Sequence, residues 1–128
     1  MTTRDSTELA ANILAMCKKI DPAFWRLTDE QRRDMAQGWG YIFARHPYPA
    51  EIYFDAVAIF YETTSDRRPG PADILDACKV AIKRWETHPT KRKELRRWRE
   101  ERRERRDRES ADGTMARRLG ITDGGGEA

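Results

Sequence analysis

The sequence predicts an all-α protein: a compact four-helix N-terminal domain, then an extended charged C-terminal helix and a disordered tail. Three observations carry that reading. Apolar residues recur at steps of one, three and four, and no stretch alternates with a period of two. Prolines and capping residues punctuate the chain at helix-length intervals. Charge is also partitioned, with net −1 over residues 1–90, net +5 over 91–109 and net −1 over 110–128. The basic isoelectric point, near 9.0, therefore belongs to one segment, and the apolar part is close to neutral.

The first helix is expected to start at Asp5-Ser6-Thr7-Glu8, with Asp5 as N-cap and Glu8 reaching back. Leu9, Ile13, Met16, Cys17 and Ile20 mark its inner face, and Asp21-Pro22 ends it, since the residue before proline is pushed out of the α region. A connector, Pro22 to Leu27, carries Phe24 and Trp25 to plug the end of the core. Thr28-Asp29-Glu30-Gln31 is a capping box that opens a second helix to about Arg45. Its inner face is Met35, Trp39, Ile42 and Phe43. Gly38 and Gly40 lie inside it at about 1 kcal/mol each. They are either close-packing sites or simply tolerated.

The centre of the chain is a pair of helices, each opened by a proline at its first position, Pro49 and Pro71, where no N–H is needed. One buries Ile52, Tyr53, Ala56, Val57, Phe60 and Tyr61; the other buries Ile74, Leu75, Cys78, Val80, Ala81, Ile82 and Trp85. The link Glu62 to Gly70 is turn chemistry. Pro89 stops the fourth helix and Thr90 can cap a fifth, KRKELRRWREERRERRDRE, whose only large apolar residues are Leu95 and Trp98. Pairs such as Glu101 with Arg105 and Glu104 with Arg108 can hold it together at about 0.3 kcal/mol each. The expected organisation is a helical domain over 5–88, an Arg/Glu-rich helix over 90–110 and a flexible tail over 111–128.

Catalytic constellations are not found. Cys17, His46, Cys78 and His88 have no CxxC or HxxxH spacing, so a zinc site is not expected. No P-loop, dinucleotide fingerprint or nucleophile elbow is present, and Gly124 to Gly126 lack the helix and lysine of a phosphate loop. The expectation is a protein without cofactor, metal, small-molecule substrate or enzymatic activity. The thiols read as buried, reduced hydrophobes. No apolar run reaches a membrane span, no signal-peptide core opens the chain, and a cytoplasmic setting is the expectation.

The charged helix is where binding is expected. Arg outnumbers Lys there, nine to two over residues 91–109, and Arg suits bidentate contacts with phosphate or carboxylate. Leu95, Trp98, Arg99 and Arg102 form the candidate strip for a protein partner, because an aromatic flanked by arginines is a common interface anchor. Arg92, Lys93, Arg96, Arg103 and Arg106 are candidates for a weak, sequence-blind nucleic-acid contact. Six acids interleave with the eleven bases and dilute their field. Asp73 and Asp76, early in the fourth helix, would repel DNA from that helix, so it is not expected to read bases.

At Tyr48-Pro49-Ala50-Glu51, Ala56-Val57, Tyr61 and then Arg68-Pro69-Gly70-Pro71-Ala72-Asp73-Ile74, the chain resembles the phage helicase loader and inhibitor family. With Trp39 ahead of these motifs, the resemblance spans roughly Thr7 to Glu86. The motifs are short and consist mainly of helix-boundary and core signals. The resemblance implies a small helical domain with a C-terminal segment that contacts a hexameric replicative helicase, holding it inactive and helping to deliver it to an origin complex. That role would fall on Lys91 to Leu119. The chain departs from the family in having a strongly patterned Arg/Glu helix where the family's segment is poorly ordered. The alternative function is a basic accessory protein that contacts DNA through this helix.

Overall fold

Five α-helices follow one another in the computed structural model: α1 (Thr3–Ile20), α2 (Asp29–Phe43), α3 (Ala50–Thr63), α4 (Pro71–Thr87) and α5 (Lys91–Asp112). The structure describes residues 3–23 and 25–112. Among them there is no strand, so the all-α class holds. Phe24 and the tail beyond Asp112 lie outside the described residues, and so do the expectations placed on them. Residues up to Arg84 form one compact unit, and Trp85 opens a second. The break thus falls inside the last turn of α4, a few residues before the boundary expected from Pro89.

The local chemistry of α2 is as the sequence predicts. Thr28 Oγ1 accepts the Gln31 N–H at 3.1 Å, and Gln31 Oε1 accepts the Thr28 N–H at 2.9 Å. Two orphan donors are thereby satisfied. Elsewhere the helix starts shift. α1 already begins at Thr3, which places Asp5 in its first turn and not at the cap. Pro49 is the N-cap of α3, with extended backbone (φ −54°, ψ 142°), whereas Pro71 does occupy the first position of α4. Asp73 closes that start. Its Oδ2 accepts the Gly70 N–H at 2.8 Å, while both its oxygens accept from Arg67 at 2.8 and 2.9 Å. The Arg67 hydrogen bonds and charge hold the Asp73 carboxyl below the ordinary carboxylate range. Asp73 is therefore a structural, neutralised acid, and its expected repulsion of DNA is offset.

The first unit is built on close approach between α1 and α2. A Cβ on Gly40 would sit 2.9 Å from the Thr7 Cα and N, so only glycine lets the two backbones meet there. Gly38 has nothing within 4 Å of such a Cβ and plays no part in that contact. The buried face of α1 is Ser6, Leu9, Ala10, Ile13, Leu14 and Cys17. Ile20, expected inside, is 46% exposed at the helix end, and Ile42 (37%) and Val80 (41%), also expected inside, are turned out as well. Each was assigned from spacing alone, and the true stripes are rotated toward smaller residues such as Ala36 and Ala77. Small side chains let helices approach closely, and the larger residue beside them is then turned out.

Aromatic rings carry the core from the connector through α2 into α3. Trp25 meets Trp39 edge-on at 6.1 Å, Trp39 meets Phe43 at 6.1 Å, and Phe43 lies 4.8 Å from Tyr53. Such pairs contribute about 0.5–1.5 kcal/mol each beyond their buried area. The polar atoms of Trp25 and Tyr53 are matched. Trp25 Nε1 donates to the Tyr61 hydroxyl at 2.9 Å, Tyr61 in turn bonds Cys17, and the Tyr53 hydroxyl donates to the His46 carbonyl. Cys17 and Cys78 are free thiols with no exposed surface. Burial pushes Cys17 up to about 11 and Cys78 up to about 12, so both stay neutral at physiological pH. No described helix is long and apolar enough to cross a membrane.

Candidate functional site

The second unit takes its form from α5. The helix is capped by a residue that the sequence reading weighed only as a metal ligand. His88 Nδ1 accepts the N–H groups of Thr90 at 3.1 Å and Lys91 at 3.0 Å. Thr90, expected as the cap, instead has its backbone carbonyl accepting from Lys93 at 3.1 Å. Lys91 then reaches two ways, to Glu94 at 3.3 Å and over the Trp85 ring at 4.9 Å. These contacts fix the first turn of a helix that has little apolar surface to bury.

The candidate residues fall on different faces. At about 100° of rotation per residue, Arg92, Arg96, Arg99, Arg103 and Arg106 share a sector about 80° wide. Widened to Arg102 the sector is about 120°, encloses Leu95 and contains no acid of α5. All seven acids, Glu94, Glu100, Glu101, Glu104, Asp107, Glu109 and Asp112, lie outside it. The interleaving that seemed to dilute the positive field is a property of the written sequence and not of the helix surface. Of the nucleic-acid candidates, Arg92, Arg96, Arg103 and Arg106 are thus brought together. Lys93 is turned about 100° from Arg92, between Glu100 and Glu104.

The exposed arginines of the stripe are largely unpaired. Arg99 reaches Glu86 at 3.2 Å. Among the described residues, Arg92, Arg96, Arg103 and Arg106 close no ion pair. Nor do the expected pairs Glu101–Arg105 and Glu104–Arg108 form. Exposed pairs gain only about 0.2–1 kcal/mol and order two long side chains to do so, so leaving them open costs little. Arg92, Arg96, Arg99 and Arg103 line a cleft of about 430 Å³ together with Glu86, Leu95 and Glu100.

The partner candidates divide as well. Leu95 is 1% exposed and presents no surface to a partner. Trp98 is half-buried, and the Arg102 guanidinium sits over its ring at 5.0 Å. A cation over an indole face is worth about 0.5–1 kcal/mol at a site open to water. Arg99, offered as part of this strip, belongs by rotation to the arginine stripe. Sorting the charges by rotation could have found the stripe in the sequence; the His88 cap had no comparable signal. Among the described residues no group of three or more His, Cys, Asp or Glu is placed to hold a metal ion.

No family model, curated protein or solved structure matches the chain.

Proposed function

We propose that this chain is a non-catalytic accessory protein of phage or prophage DNA replication, acting in the cytoplasm of a bacterial host, which binds a hexameric replicative helicase to load it or hold it inactive. The observation that carries the docking surface is Trp98, half-buried beneath Arg102 on a helix whose remaining exposed surface is almost entirely charged. Aromatic and arginine side chains together dominate interface hot spots. The resemblance supplies the kind of partner. Its motif residues lie on the elements that shape the α3–α4 pair: Pro49 caps α3, Ala56 and Val57 are buried, Tyr61 takes the Trp25 hydrogen bond, and Asp73 closes the start of α4. With Leu95 enclosed and Arg99 on the arginine stripe, the strip consists of Trp98 and Arg102. It works by binding alone and needs no cofactor.

The test is co-elution in gel filtration with a hexameric replicative helicase, with and without ATP, followed by the helicase's unwinding rate. Co-elution and a changed unwinding rate are expected. Separate elution at micromolar concentrations of both, with unwinding unaltered, contradicts the proposal.

A further inference from the structure

We propose that Arg92, Arg96, Arg99, Arg103 and Arg106 form a seat for the sugar–phosphate backbone of double-stranded nucleic acid, engaged without regard to sequence. The five side chains are exposed and follow one another at steps of four, three, four and three residues. At 1.5 Å per residue they form a line about 21 Å long, with a guanidinium every 5 Å or so. A regular row of cations matches a regular row of anions, and a phosphate backbone is such a row. Four of the five have no ion-pair partner among the described residues, so no intramolecular pair has to be broken to receive a phosphate at those positions. The fifth, Arg99, would exchange Glu86 for it.

The make-up of the stripe decides between ligand classes. It has no exposed apolar group, since Leu95 is buried, and so lacks the anchor that a protein interface needs at its centre. It has no aromatic ring on which unpaired bases could stack, as single-strand sites do. Trp98 lies about 80° beyond the nearest stripe arginine and already carries Arg102. Every position offers the same donor group, and none offers the amide or carboxylate that reads adenine or cytosine, so the row cannot specify a mixed sequence. Contact with a duplex backbone remains. This inference is independent of the helicase reading and needs no helicase for its test.

The experiment is fluorescence anisotropy of a labelled 20-base-pair DNA duplex, and of one of its strands alone, titrated with the full chain from about 50 to 200 mM salt. Two triple variants are compared. Arg92→Ala with Arg96→Ala and Arg103→Ala empties the stripe. Lys93→Ala with Arg97→Ala and Arg108→Ala removes the same charge from the opposite side. Alanine favours helix, and circular dichroism checks that both variants keep it. The wild type is expected to bind duplex more tightly than single strand. The stripe variant should lose about tenfold or more at low salt, with the slope of log K against log salt reduced by about 2–3. The control should lose less than about threefold, since it removes only long-range, screened charge. Equal loss in both variants overturns the stripe. Tighter binding to the single strand, or no duplex binding at about 50 mM salt with binding to a polyglutamate peptide in its place, overturns the ligand class.

Discussion

Helices α4 and α5 are similar in length, 17 and 22 residues, and differ in what selects their side chains. α4 buries Ile74, Ala77, Cys78, Ala81 and Trp85, a stripe in which each position is set by the space available. α5 buries Leu95 alone among its described residues. Folding asks little of its other positions beyond helix propensity, which Arg and Glu both satisfy. Charge could therefore have been scattered around α5 without harm to the fold. Instead all seven acids are kept off the sector that five arginines share. A pattern that packing does not demand points to a contact outside the chain, and for that reason the functional reading rests on α5.

The comparison is broken most readily by large-to-small substitution. Phe43→Ala, at a fully buried ring in contact with Trp39 and Tyr53, is expected to cost about 3–5 kcal/mol in urea unfolding. Arg105→Ala in α5 should stay within about 0.5 kcal/mol of wild type. Similar losses in both would mean that α5 is as constrained as the core. A finer contrast lies within α2. Gly40→Ala drives a methyl into the Thr7 backbone and should cost about 1–3 kcal/mol. Gly38→Ala meets open space and should add about 0.5–1 kcal/mol. Equal effects of the two in thermal melts would remove Gly40 as the point of closest approach between α1 and α2.

Much of the fold was legible because helix boundaries are local chemistry. The Thr28 capping box, the stop at Asp21-Pro22 and the N1 proline at Pro71 all follow from residues within one turn. The inner faces were harder to read. Ile42 and Val80 fit the period, yet a period does not say which of two adjoining stripes is buried, and the answer was set by alanines at Ala36 and Ala77. Gly38 and Gly40 are indistinguishable in sequence and opposite in role, because the difference is the proximity of α1. At the candidate site, composition singled out α5 as the basic helix. The linear order of its charges concealed their sorting by face, and only rotation separates Arg103 from Glu104.

The His88 cap sharpens the comparison at the start of α5. His88→Ala removes the acceptor of two backbone donors and should cost about 1 kcal/mol. Faster amide exchange in the first turn of α5, with α1 to α3 unchanged, is the expected result. His88→Asn, which keeps an acceptor, should restore most of the protection.

The most direct measurement is Trp98→Ala in the full chain, with helicase binding and melting temperature read on the same preparation. The account predicts at least tenfold weaker binding to the hexameric helicase, the loss of about 1.4 kcal/mol or more that a hot spot carries, with the melting temperature within about 2 °C of wild type. A lowered melting temperature with helicase binding intact would contradict it, because Trp98 would then be part of the packed interior and not the anchor of a docking surface.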